Sequence, residues 1–139
     1  MCVVSITLIV AAIAIPKMNR QLMVARESAA IVEIRTTHQA EARYYSQFGK
    51  YAPSIAALGP PANGAAGPEA ADLIPKDLAD GKKAGYVFEL KGTAKLYSIS
   101  AVPELVGVSG LRSFYSDQTL VIRQNYTGEP ANASSPELK

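Results

Sequence analysis

Hydrophobic and polar positions divide the chain into three stretches with different rhythms. Residues 1–16, MCVVSITLIVAAIAIP, carry no charge, and the first charged residue is Lys17. From Lys17 to Phe48 the chain contains neither Gly nor Pro, and a three-four spacing emerges. Ile31, Ile34, His38, Glu41, Tyr45 and Phe48 follow one such line, and Ala30, Ile34, Thr37, Ala40, Tyr44 and Phe48 another. Their overlap predicts an amphipathic helix with an apolar face that widens toward its C-terminal end. Arg26, Glu27, Glu33, Arg35 and Arg43 fall mainly on its flanks or opposite face. Gly49 is a helix stop, with Pro53 just beyond. Because helical signals continue past Pro16, that proline sits inside one long helix of about 70 Å. It removes the hydrogen bond to the Ala12 carbonyl, a cost of about 3 kcal/mol in a water-exposed helix that membrane or bundle neighbours tolerate.

The rhythm then changes. Residues 49–68 are rich in Gly, Pro and Ala and read as a loop with one helical turn near Ser54 to Leu58. A short helix is expected near Lys76 to Ala79, stopped by Gly81. Alternation follows, with Tyr86, Phe88 and Leu90 on one side of a strand, a turn at Gly92-Thr93, and Tyr97, Ile99 and Ala101 inward on the next. Arg112 to Tyr115 and Leu120 to Arg123 predict a second hairpin about Ser116-Asp117-Gln118. Short turns make these strands antiparallel, and the stem's apolar face supplies the cover one sheet face needs. The fold class expected is therefore α+β: a long N-terminal α-helix, anchor plus amphipathic stem, packed on a small antiparallel β-sheet head. Its parts are a hydrophobic half of the helix at 1–25, a head at 26–128 with stem 26–48 and sheet 86–123, and a loose polar tail at 129–139.

A chain of 139 residues suits one modest domain, and 48% apolar content is enough for a core. The net charge of +2 is too balanced for the basic stripe of a nucleic-acid partner, and none is expected. A single cysteine, Cys2, makes neither an intramolecular disulfide nor a zinc site, and no lipidation motif surrounds it. No phosphate-binding glycine loop, metal-spaced cluster or Ser-His-Asp order occurs, so the expectation is no catalytic residue, no cofactor and no metal. His38, the only histidine, is read as packing on the sheet or reaching solvent. Asp117 is read as a turn residue, with calcium ligation the competing role. Tyr44, Tyr45, Phe48 and Tyr51 form an aromatic cluster assigned to core and head packing. Glu27 and Glu33 are read as mostly solvated stem charges.

The uncharged head admits three readings. As a helix its 16 residues span about 24 Å, short of the roughly 30 Å of a bilayer core. Ala12-Ile13-Ala14 resembles a signal-peptide cleavage site, but no basic segment precedes it. A buried core helix would need protein on every side, which this body is too small to give. A transmembrane helix with its upstream part missing or shortened is favoured. Lys17, Arg20 and Arg26 follow the apolar run and no basic residue precedes it, which alone would leave the body in the cytoplasm. A basic leader upstream would reverse that orientation.

AAIAIP at residues 11–16, leading into a long helix, resembles the N-terminal helix of type IV pilins and type II secretion pseudopilins. The stem and loop EIRTTHQAEARYYSQFGKYAPSIAALG, and the segments DLADGKKAGYVFEL, LYSISAVP and RSFYSDQTLVIR, are similar to those of a group of bacterial pilin-like proteins. The resemblance implies a structural subunit rather than an enzyme. It implies single-pass insertion in the bacterial inner membrane with a periplasmic head, and then assembly with like subunits into a filament at the cell surface. Partners would be like subunits, the membrane and the pilus or secretion assembly machinery. Val4, Ile6, Leu8, Ile9, Ile13 and Pro16 would make the assembly helix, and Ile31, Ile34, Tyr44, Tyr45 and Phe48 would hold head to stem. The family's processing motif, a glycine, an aromatic and then a glutamate, would align one to two helix turns before Met1. Prepilin peptidase is thus a partner only of a longer N-terminus; a late-called start is preferred over a divergent copy. The alternative function is a non-polymerising, membrane-anchored extracytoplasmic binding or adhesion module.

Overall fold

The structure is a computed structural model that describes the backbone of residues 2–127 and 129–138, and the side chains of 20–127 and 129–138. One helix, α1 (Cys2–Phe48), takes 47 residues and gives a rod of about 70 Å. It ends where expected. Gly49 takes a φ of 71°, and its N–H reaches the Tyr45 carbonyl at 2.8 Å, closing the last turn with a left-handed residue. A 3-10 turn follows at Ile55–Leu58, then α2 (Lys76–Ala79).

Five strands follow: β1 (Lys82–Lys83), β2 (Tyr86–Gly92), β3 (Tyr97–Pro103), β4 (Ser113–Asp117) and β5 (Arg123–Asn125). They lie side by side in chain order, every neighbour antiparallel. Alternation in β2 and β3 is as read from sequence: Tyr86, Phe88, Leu90, Tyr97, Ile99 and Ala101 are buried. Phe88 faces Ala101 and Leu90 faces Ile99 across the ladder. The second hairpin exists with shifted limits. Tyr115 pairs with Arg123 and Ser113 with Asn125, so Leu120 to Ile122 belong to a wider turn rather than a strand. Asp117 shapes that turn by accepting from the Thr119 N–H at 3.0 Å and its hydroxyl at 2.5 Å.

The core lies between sheet and stem. Ala30, Ile34, Ala40 and Tyr44 of α1 meet Phe88, Leu90, Ile99 and Phe114, and Ile55, Leu58 and Leu78 close one end. Each large apolar side chain so buried contributes about 1.5–3 kcal/mol. Two small stem residues, Ala30 and Ala40, let the sheet approach closely. The tail departs from its expected looseness. Leu138 N–H donates to Ile122 at 2.8 Å, Gln124 N–H donates to Pro136 at 2.9 Å, and Arg123 bridges to Glu137. The polar tail thus pairs with the otherwise open edge of β5, where backbone groups need partners whatever the side chains are.

Candidate functional site

The stem's inward face is more polar than its periodicity suggests. Buried positions run Glu27, Ala30, Ile34, Thr37, His38, Ala40, Glu41 and Tyr44. Glu27, Ile34 and Glu41 are spaced by sevens and share one stripe. Half of this face therefore carries polar side chains, whose pairing decides whether burial is tolerable.

Glu27 is 7% exposed. Its Oε1 accepts from the Leu111 and Arg112 N–H groups at 2.8 and 3.2 Å, and its Oε2 from Arg112 Nε at 3.0 Å. Arg112 is held further by Gln124 at 2.9 Å and lies over the Phe114 ring at 5.1 Å. A residue read as a solvated stem charge thus clamps β4 to the helix, because two free backbone donors and a guanidinium converge on its carboxylate. Glu33 departs from that reading too, since it pairs with Lys83 at 3.1 Å.

His38 sits one turn before the second buried carboxylate and is packed on the sheet. Its Nδ1 lies 2.5 Å from the Tyr97 hydroxyl, and its Nε2 lies 2.8 Å from Ser116 Oγ. Ser116 donates its proton to the Val121 carbonyl at 2.8 Å, so Oγ accepts from Nε2–H. Tyr97 O–H then donates to Nδ1. This relay satisfies a neutral imidazole completely. A second proton at Nδ1 would leave the Tyr97 hydrogen without an acceptor. Burial likewise holds the His38 pKa below its ordinary 6.5, against the opposing pull of Asp117.

Glu41 is fully buried. Oε1 accepts from the Ala52 N–H at 2.8 Å, while Oε2 is the one buried side-chain oxygen or nitrogen among the described residues that lacks a partner. Burial raises its pKa to about 7, against the lowering effect of the Ala52 hydrogen bond. The carboxyl therefore changes charge near neutrality.

The residues expected to hold head to stem are distributed unevenly. Ile34 and Tyr44 are fully buried, and Ile31 and Phe48 pack at the core's margin. Tyr45 is 45% exposed and meets the Tyr51 ring, 4.9 Å away between centroids. Tyr44 stacks on Phe48 at 4.6 Å, and Tyr51 on Tyr97 at 4.7 Å. The expected aromatic cluster is thus two pairs, Tyr44–Phe48 and Tyr45–Tyr51, of which the second is joined to the sheet through Tyr97. Val4, Ile6, Leu8, Ile9, Ile13 and Pro16 lie outside the residues whose side chains are described.

Sequence reading placed Glu41 on the stem's apolar face but missed the burial of Glu27, the Glu41 bond to Ala52, and the parts of Arg112, Tyr97 and Ser116. The signal available was spacing, since both glutamates stand seven residues from Ile34. Among the described residues, no group of three or more His, Cys, Asp or Glu could hold a metal, and no helix is long and apolar enough to cross a membrane. No family model, curated protein or solved structure matches the chain.

Proposed function

We propose that this chain is a structural filament subunit of the type IV pilin or type II secretion pseudopilin kind. It is anchored and assembled through the uncharged first third of its helix and is not an enzyme. The observation that carries this reading is the division of α1. One helix of 47 residues carries a five-stranded antiparallel head on a stripe whose described buried positions run from Glu27 to Tyr44. The stretch before Lys17 is uncharged in sequence. A helix that outruns its own head has apolar surface to place in lipid or against its copies.

The stem's outer face supports the same reading. Val24 and Val32 are each about half exposed on α1, available to neighbouring stems. Assembly would then consist of helices leaving lipid for a bundle, with small head domains outside. The inner membrane, the assembly machinery and like subunits are the proposed partners, and the periplasmic side is the proposed location of the head.

The test is shearing of cells that express the chain, with antibody detection of the head in the released fibres. The expected result is recovery of the chain in the sheared fraction, lost in Leu8→Asp with the cell-associated level retained. Failure to recover the wild-type chain in any fibre would overturn the reading.

A second reading, the membrane-anchored binding module, is favoured by one feature. An open cavity of about 460 Å³ lies between stem and tail, lined by Arg35, His38, Gln39, Leu120, Glu137 and Leu138 among others.

A further inference from the structure

The connection between β3 and β4 carries an unusual load. Residues 105–111, LVGVSGL, contain no charge. Leu105, Val106, Val108 and Leu111 are between 48% and 61% exposed. This is not slack chain. Leu105 O accepts from Val108 and Ser109 N–H at 3.0 and 2.8 Å, and Gly107 at φ 86° pairs with Gly110. Glu27 holds Leu111 N–H, the Arg26 guanidinium donates to Val108 O at 3.2 Å, and Tyr86 O–H donates to Arg112 O at 2.7 Å. The loop is fixed with its apolar side chains outward, an exposed apolar patch of the kind that marks an interaction surface.

Its position along the helix selects its occupant. Gly107 and Val108 line a cleft with Leu22, Met23 and Arg26, so the loop stands beside the second and third helical turns after Lys17, where the charged portion of the chain begins. Leu22 lies six residues beyond Pro16, about 9 Å along the axis, a distance comparable with the headgroup layer of a bilayer. Leu22, half exposed itself, continues the apolar surface from loop to helix. Arg20 and Arg26 on the helix, with Lys17 before them in sequence, form a basic collar at this level. The neighbouring acid, Glu104, is paired with Lys82 at 3.8 Å.

We propose that the 105–111 loop is a membrane-docking surface. Leu105, Val106, Val108 and Leu111 enter the interface of an anionic bilayer, and Arg20 and Arg26 meet lipid phosphates. This rests on the anchored-subunit reading and adds to it. The head is seated on lipid at a fixed orientation before assembly, rather than swinging on its stem. Apolar insertion supplemented by basic residues is the pairing that holds proteins at interfaces.

The test uses the full chain, reconstituted at low density in vesicles of phosphatidylethanolamine and phosphatidylglycerol. In a Cys2→Ser background, Val108→Cys carries an environment-sensitive dye. Leu96→Cys, exposed at the opposite end of the head where Thr93 meets Tyr51, is the control. Lipids with a nitroxide near the headgroup should quench the dye at 108 about threefold more than at 96, with circular dichroism unchanged. A solvent-like dye at 108 on a chain that floats with the vesicles would overturn the docking surface and leave the anchor standing. Failure of the chain to float would remove both. Shielding at 108 that rises with protein density without lipid quenching would assign the loop to a second copy and overturn the proposal.

Discussion

His38 shows how one side chain can set the terms of an interface. It accepts from Tyr97 and donates to Ser116, so removing it leaves the buried Tyr97 hydroxyl without its acceptor and takes from Ser116 Oγ the donor it accepts, while Ser116 keeps its own bond to Val121. His38→Leu should cost about 1–3 kcal/mol, read as a lower denaturation midpoint for the full chain in detergent. Glu27→Ala should cost about 2–4 kcal/mol in the same measurement, since Arg112 and two N–H groups lose their acceptor together. Glu41 behaves differently because its charged form is the disfavoured one. With a folded pKa raised to about 7, the folded state binds more protons than the unfolded state between pH 4.5 and 7. Its contribution therefore falls as pH rises through that window. His38, with a lowered pKa, has the opposite sign: the unfolded state binds more protons below 6.5, so its contribution is lost as pH falls. Glu41→Gln should remove the Glu41 slope and retain that of His38. Stability of the variant, measured from pH 4.5 to 8, should gain on wild type by an amount on the order of 3 kcal/mol across the range.

Among elements, legibility followed the cost of burial. The β2–β3 hairpin was readable because Tyr86, Phe88, Leu90, Tyr97, Ile99 and Ala101 recur at every second position, with Glu89, Lys91, Ser98 and Ser100 between them, so one face is the apolar one. The end of α1 was readable at Gly49 for a local reason, the positive φ that closes a helix. Glu27 was not readable as a buried residue, and Glu41, although on the apolar line, was not readable as the acceptor of the Ala52 N–H. A carboxylate defaults to solvent unless donors from distant chain converge on it, and those donors at 111, 112 and 52 are set by tertiary packing. The tail was misread for a related reason: its side chains are polar, but the β5 edge recruits its backbone. Gly92 is a further tertiary feature. A Cβ there would meet the Ala52 carbonyl oxygen at 1.9 Å, backbone against backbone. Gly92→Ala should therefore force β2 and the 49–58 segment apart. We expect a loss of at least about 2 kcal/mol in a thermal or denaturant melt, more than the same change at the exposed Gly64, where an added Cβ meets nothing within 4 Å.

At the scale of the whole molecule, the stem serves two surfaces at different heights. Its inner face, from Glu27 to Tyr44, is committed to the head. Its outer face keeps Val24 and Val32 about half exposed. Val32→Asp touches no core position, so the fold should persist, with a melting midpoint close to wild type, while recovery in sheared fibres falls severalfold. The general plan of rod and cap was legible from the change of rhythm at Gly49, while the assembly residues Val4 to Pro16 rest on sequence alone. Electron cryomicroscopy of fibres sheared from cells expressing the chain tests the filament proposal most directly. The prediction is a central bundle of α1 helices with five-stranded heads outside. Fibres that lack the chain, or that place its sheet at the axis, would contradict it.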